Sequence, residues 1–245
     1  MTLRFSCLTL FPESFEPLRK DGVFARGLSK GILSLDTVFL RDFSGNARRD
    51  VDDHPVGGGD GMVLLAETCE RALASVRTPA SRIIHVSPSG KRFGNVAARR
   101  LSAESHVVFL CGRYAGFDSR FTEKHAHEHL SLGDFVVSGG ELPAQCMMDA
   151  IARFVPGVLG NDASAGHDSF EDGLLEAPQF TKPLTWEGQA VPEVLLSGDH
   201  ARIAAWRRKE QIKATARMRP DIVHALWDAL TRAERALAEK AWKEG

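Results

Sequence analysis

Short runs of apolar and β-branched residues recur at positions 3–10, 37–40, 83–86, 107–111 and 135–137. Helix-compatible stretches at 66–76, 95–101 and 120–127 separate the later runs. Strands alternating with helices predict an α/β unit with a largely parallel sheet. Residues 141–154 continue the pattern as a helix, with Leu142, Cys146, Ile151 and Phe154 set among small residues. Pro156-Gly157 and Gly160-Asn161 then interrupt it. From 160 to 173 the chain is small and polar and reads as a flexible connector. After Trp186 the character turns helical. Ile203 and Trp206 lie three apart, and Ile222, Leu226, Leu230 and Leu237 form one helical stripe behind Pro220, a good first-turn residue. A mixed α/β domain therefore precedes a small helical one, with the boundary near 160–175.

Composition narrows the class. With 245 residues, 43% hydrophobic and 26% charged, the chain can bury a core, and disorder is excluded. Cys7, Cys69, Cys111 and Cys146 stand far apart without a CxxC pair, which suggests neither a disulfide framework nor a zinc knuckle. Arg4 and Pro12-Glu13 break the apolar start of the chain, so no signal peptide is expected there. No apolar run approaches 18 residues, and the expectation is a cytoplasmic protein with no membrane partner.

The net charge of −1 speaks against coating nucleic acid by bulk charge. It conceals a local imbalance. Residues 200–220 carry Arg202, Arg207, Arg208, Lys209, Lys213, Arg217 and Arg219 against Glu210 alone. Such a face is either a footprint for a phosphate backbone or a solvated helix. Trp206 and Trp227 read as core anchors rather than base-stacking platforms.

Three glycine-bearing loops are expected after strands, at 86–90 (VSPSG), 111–116 (CGRYAG) and 137–141 (VSGGE). Ligands of parallel α/β sheets bind at the carboxyl ends of strands, where glycine admits the backbone closely. The three loops are consistent with a nucleotide-like pocket or with plain turns. None matches GxGxxG, and Gly90-Lys91 lacks the Ser/Thr of a Walker loop. A fourth cluster, residues 57–61 around Gly58 and Gly59, either lets a large substrate approach the main chain or is a surface loop. If the 160–173 connector closes over a ligand, Asp168 becomes a candidate general base and Arg153 an anion stabiliser. His125, His127 and His129 have strand-like spacing for a metal site, yet 124–128 reads as polar helix, and no metal is assigned. No GxSxG elbow is present.

Read together, LTLFPE at 8–13, the Gly57–Met62 cluster, CGRYAG at 111–116, GDFVVSGGELP at 133–143, RFVPGVLGN at 153–161 and LSGDH at 196–200 are similar, in order and end to end, to the bacterial tRNA (guanine-N1)-methyltransferases of the SPOUT class, the TrmD family. The resemblance implies a parallel-sheet methyltransferase domain with a deep trefoil knot over 1–160, a flexible linker at 161–174, and a helical tRNA-binding domain over 175–245. Connection rules alone would never propose a knot. It implies S-adenosyl-L-methionine held by Ser87, Pro88, Gly112, Leu132, Gly133, Asp134, Phe135, Val136, Val137, Gly139, Gly140 and Pro143. A magnesium ion belongs to the same expectation but attaches to no residue.

The implied reaction is methyl transfer to N1 of the guanosine immediately 3′ of the anticodon, position 37 of tRNA. Asp168 would remove the N1 proton and Arg153 would stabilise charge developing on O6. The implied assembly is a homodimer whose active site is shared between subunits, with Gly58, Gly59, Arg202, Arg207, Arg208, Lys213 and Arg217 against the tRNA. Ala115 departs from the pattern by standing where the family usually has Glu, and Lys182 stands for Arg. An RNA-binding protein that keeps the pocket only as structure is the non-enzymatic alternative. A methyltransferase acting on another RNA nucleoside is the enzymatic one.

Overall fold

A computed structural model describes residues 2–160 and 168–243. The chain divides into two compact units, Met1–Asp162 and Ala163–Gly245.

In the first unit β1 (Leu3–Thr9) is followed by α1 (Glu16–Lys20), α2 (Gly22–Ser29) and β2 (Leu33–Phe39). A two-residue antiparallel ladder, β3 (Asp52–Asp53) with β4 (Val63–Leu64), leads to α3 (Ala66–Ala74). Then come β5 (Ser81–Arg92), α4 (Asn95–Ser102), β6 (His106–Cys111), α5 (Ser119–His125), β7 (Glu128–Ser131) and α6 (Glu141–Ala152). Five strands form one sheet in the order β2-β1-β6-β5-β7, and every pairing is parallel.

Alternation along the central strands explains the layering, because successive side chains point to opposite faces. Phe5 and Cys7, with Val107, Phe109 and Cys111, pack on one face against Phe24, Met147 and Ile151. Leu8, Val108 and Leu110 pack on the other against Leu40, Leu64 and Leu73. A sheet covered on both sides needs apolar residues at consecutive positions, as in the fully buried β6.

Several expectations are corrected. Residues 135–137 form no strand; they are exposed, and the fifth strand is Glu128–Ser131. This strand lies at the sheet edge and buries only Leu130 and Ser131, so its sequence carries no apolar run. The helix expected through 127 ends at His125, because His127 joins the sheet: its backbone N–H donates to the Ile83 carbonyl at 2.9 Å. The run at 37–40 is the end of a longer strand, and Leu40 opens a 3-10 turn.

The 86–90 loop does not follow β5 but interrupts it. Val86 and Lys91 both pair with Leu130, so the four residues between them are extruded from the ladder. Gly90 is where the chain re-enters. A Cβ there would lie 2.5 Å from the backbone of His129 and Leu130, which no side chain tolerates.

The second unit holds a short hairpin, β8 (Thr185–Trp186) with β9 (Gln189–Ala190), then α7 (His200–Met218), α8 (Pro220–Ala225) and α9 (Arg232–Lys243). Leu174, Ile212, Ala216, Val223, Leu230 and Ala238 form its core. Trp227 packs beside that core and stacks on Trp242 at 5.5 Å, whereas Trp206 sits against Phe180. The stripe 222–237 is not one helix. Thr231 and Glu234 cap each other reciprocally: the Thr231 N–H donates to Glu234 Oε2 at 2.8 Å, and the Glu234 N–H to Thr231 Oγ at 3.3 Å. This capping box starts a new helix. Of the connector expected at 161–174, residues 161–167 lie outside the described residues. No helix among the described residues is long and apolar enough to cross a membrane.

Candidate functional site

The extruded segment of β5, the loop after β6, residues 132–139 and the first turn of α6 converge at the carboxyl ends of the strands. They enclose a cavity of about 520 Å³, within the range of small-molecule sites. Every residue expected to hold the cofactor lines it except Asp134.

Backbone contacts shape this wall. The Gly140 N–H donates to the Gly112 carbonyl at 2.8 Å. A Cβ on Gly140 would stand 2.7 Å from the Cys111 Cα, so only glycine lets the two loops meet. Ser131 Oγ accepts from the Gly133 N–H at 3.2 Å and donates to the Gly133 carbonyl at 3.0 Å, fixing the turn after β7. Tyr114 adopts φ 59°, a conformation non-glycine residues seldom take. The chain holds it there from both sides: the Ala115 N–H donates to the Met62 carbonyl at 2.8 Å, and the Leu64 N–H to the Gly116 carbonyl at 2.9 Å.

Charged groups under the wall escaped the sequence reading. Glu141 is 1% exposed, accepts from Thr9 Oγ at 2.7 Å, and accepts from Arg113 Nε at 2.8 Å. Arg113 also donates to the Ser138 carbonyl at 3.2 Å and lies over the Phe11 ring at 4.3 Å. Such a buried carboxylate is tolerable only because it is paired and hydrogen-bonded. Its sequence signal was an acidic residue opening a helix whose other buried positions are apolar.

His85 and His129 also line the cavity, on adjacent strands in direct register. Their Nδ1 atoms are 2.9 Å apart and their rings meet edge to face at 5.0 Å. Burial, and secondly the neighbouring His129, lower the pKa of His85 to about 4. The other expected metal candidates are committed elsewhere: His125 to Glu70, and His127, whose Nδ1 accepts from the Ile83 N–H at 2.9 Å. Among the described residues, no three His, Cys, Asp or Glu side chains gather as a metal site.

Arg153 caps the carboxyl end of α6 and is not on the cavity wall. Asp168 belongs to the second unit, where it lines a cleft with Asp172, Glu176, His200 and Arg207. Gly58 and Gly59 are exposed, at φ 82° and 128°. On α7, Arg202, Arg207 and Arg217 are exposed. Arg208 is instead clamped between Asp172 at 2.9 Å and Glu234 at 2.7 Å, and Lys213 donates to Glu210 at 2.7 Å.

The family model described as tRNA (Guanine-1)-methyltransferase TrmD matches residues 3–225. A tRNA (guanine-N(1)-)-methyltransferase of Magnetococcus marinus is 46% identical over 242 residues, covering 97% of this chain and 95% of the relative. One of Leptothrix cholodnii is 48% identical over 229 residues, covering 91% and 92%. One of Staphylococcus carnosus is 46% identical over 222 residues, covering 90% and 91%.

Proposed function

The chain belongs to the tRNA (guanine-1)-methyltransferase family, TrmD, and from that premise we propose that it methylates N1 of the guanosine 3′ of the anticodon, position 37 of tRNA. The single observation that carries the reading is the glycine-walled cavity, in which the residues implied for S-adenosyl-L-methionine converge from distant parts of the chain.

The cavity fits that group. Its glycine backbones leave room for a flat base against main-chain donors and acceptors, and exposed Phe135 and Val136 offer apolar cover. When bound there, the cofactor supplies an electrophilic methyl group on a sulfonium sulfur. Ser87, Pro88 and the 132–140 segment hold and orient it. Asp168 accepts the proton from guanine N1 as the methyl acceptor becomes nucleophilic. Arg153 donates to O6, where negative charge grows.

A homodimer with shared sites belongs to this proposal. Pro143 lies in the first turn of α6 at the cavity, and Arg153 lies ten residues further along, which a rise of 1.5 Å per residue makes about 15 Å. That span exceeds the reach of an arginine side chain back to the cavity, so a second copy is the natural source of the Arg153 that acts there. Val136 (82% exposed) and Leu142 beside the cavity are apolar surface of the kind a partner covers. The trefoil knot, a linker near 161–174 and tRNA binding by the helical unit complete the proposal. It places the enzyme in the cytoplasm with its substrate.

The test is methyl transfer from labelled S-adenosyl-L-methionine to unmodified tRNA transcripts. Label should map to guanosine 37 and disappear when that base is adenosine. Label at another nucleoside would overturn the assigned substrate position.

A further inference from the structure

We propose that the His85–His129 pair is a proton-sensitive wall of the cavity that discriminates a cationic ligand from its neutral counterpart. The inference rests on the cofactor reading above: the sulfonium substrate carries a positive charge that the thioether left after methyl transfer lacks.

The chemistry follows from the 2.9 Å approach of the two Nδ1 atoms. In the neutral pair one Nδ1–H donates and the other Nδ1 accepts. A first added proton fits only at Nε2 of the donor ring, because at the acceptor's Nδ1 it would set two N–H groups against each other. His129 is exposed and His85 half-buried with its ring edge-on to Phe117 at 5.6 Å, so His129 is assigned as the donor ring and His85 as the acceptor. His85 then remains the neutral acceptor, consistent with its pKa near 4. A pair that has taken one proton is a single fixed cation held by a charge-assisted hydrogen bond, within the wall that faces the ligand.

Among the surrounding charges Glu123 on the same cavity wall opposes this proton, whereas the neighbouring Glu141, Asp118 and Glu128 are each held by arginine. From α5, exposed Glu123 lines the same cavity, while His125 is bound to Glu70. From the loop after β6, Arg113 is paired with Glu141 and Asp118 is paired with Arg120. From β7, Glu128 is held by Arg82 at 2.9 Å and Arg100 at 2.6 Å. On β5 itself, Lys91 adds positive charge beyond the extruded segment.

Calorimetric titration of the full-length protein with S-adenosyl-L-methionine and S-adenosyl-L-homocysteine, from pH 8 to pH 5.5, tests this. The window brackets the ordinary imidazole value of about 6.5. Affinity for the sulfonium should fall roughly tenfold more than affinity for the thioether, as expected for like charges within one partly desolvated cavity. His129→Gln should abolish the difference. Parallel pH profiles for the two ligands would overturn the proposal, as would an unchanged difference in His129→Gln. Failure of both ligands to bind at pH 8 would instead overturn the cofactor reading, and this proposal with it.

Discussion

Arg113 Nε donates to Glu141 Oε2 at 2.8 Å, and through this bond a side chain of the loop after β6 is locked to the first residue of α6. The same carboxylate holds Thr9 at the end of β1. Three elements distant in sequence are thereby fixed beneath one cavity wall. Glu141→Ala should lower the unfolding free energy by about 3 kcal/mol, since it strands Arg113 in a largely buried place. Denaturant titration reads that loss. Because Arg113 also holds the Ser138 carbonyl, the cofactor dissociation constant should rise in the fraction that folds.

Gly140→Ala should be poorly tolerated, because the added Cβ collides with backbone rather than with a movable side chain. The expected outcome is loss of cofactor binding with a destabilisation of about 1–3 kcal/mol. Calorimetry and thermal melts check both. Binding at the wild-type level would refute the closeness of the two loops.

Asp168→Asn should reduce turnover by about 10²- to 10⁴-fold, the usual contribution of a general base, with cofactor affinity nearly unchanged. Arg153→Ala should depress turnover without abolishing cofactor binding. If sites are shared between subunits, mixing Asp168→Asn chains with Gly140→Ala chains restores part of the activity. Single-turnover assays on tRNA decide each case.

Exposed and paired arginines on α7 should separate cleanly. Arg202→Ala and Arg207→Ala should each weaken tRNA binding and lower the slope of log K against log salt by about one. Arg208→Ala should mainly cost stability, since its guanidinium bridges Asp172 and Glu234. Filter binding at several salt concentrations, beside melting curves, distinguishes the two effects.

Acid should destabilise the fold through His106. Its ring is buried between Ser6 Oγ at 2.9 Å and Ser81 Oγ at 2.7 Å, joining β1, β6 and β5. Burial, and secondly Arg4, push its pKa down. The unfolded chain therefore binds a proton that the folded one resists. Above an unfolded value of about 6.5 there is no difference, and stability falls as pH drops below it. Urea midpoints between pH 8 and pH 5 should decline, and less steeply in His106→Asn.

Much of the fold was legible because its determinants are local. Residues 107–111 announce a strand as consecutive apolar positions, since both faces of the sheet are covered, and 3–9 does so through Leu3, Phe5, Cys7 and Leu8. The edge strand Glu128–Ser131 was not legible, because a strand that buries two side chains writes no apolar run. The start of α9 carried a readable signal in Thr231 and Glu234, hidden by an apolar stripe that happened to continue across the break. Asp168 and Arg153 stood in the sequence only as conditional candidates, and their proposed roles come from the resemblance: a carboxylate in a polar stretch and an arginine at a helix end carry no local mark of chemistry.

The sequence by itself determined the alternation of strands and helices in the core, the polar stretch between the two units and the family, because periodicity and contiguous motifs survive without coordinates. Only the tertiary structure decided that residues 87–90 leave and re-enter β5, that Glu141 clamps Arg113, that Arg208 is spent on ion pairs, and that two histidines 44 residues apart meet at their Nδ1 atoms. Each of these depends on side chains meeting across long sequence separations. Charge and hydrogen-bonding capacity are written in the residue, but whether they face a substrate or each other is set by packing.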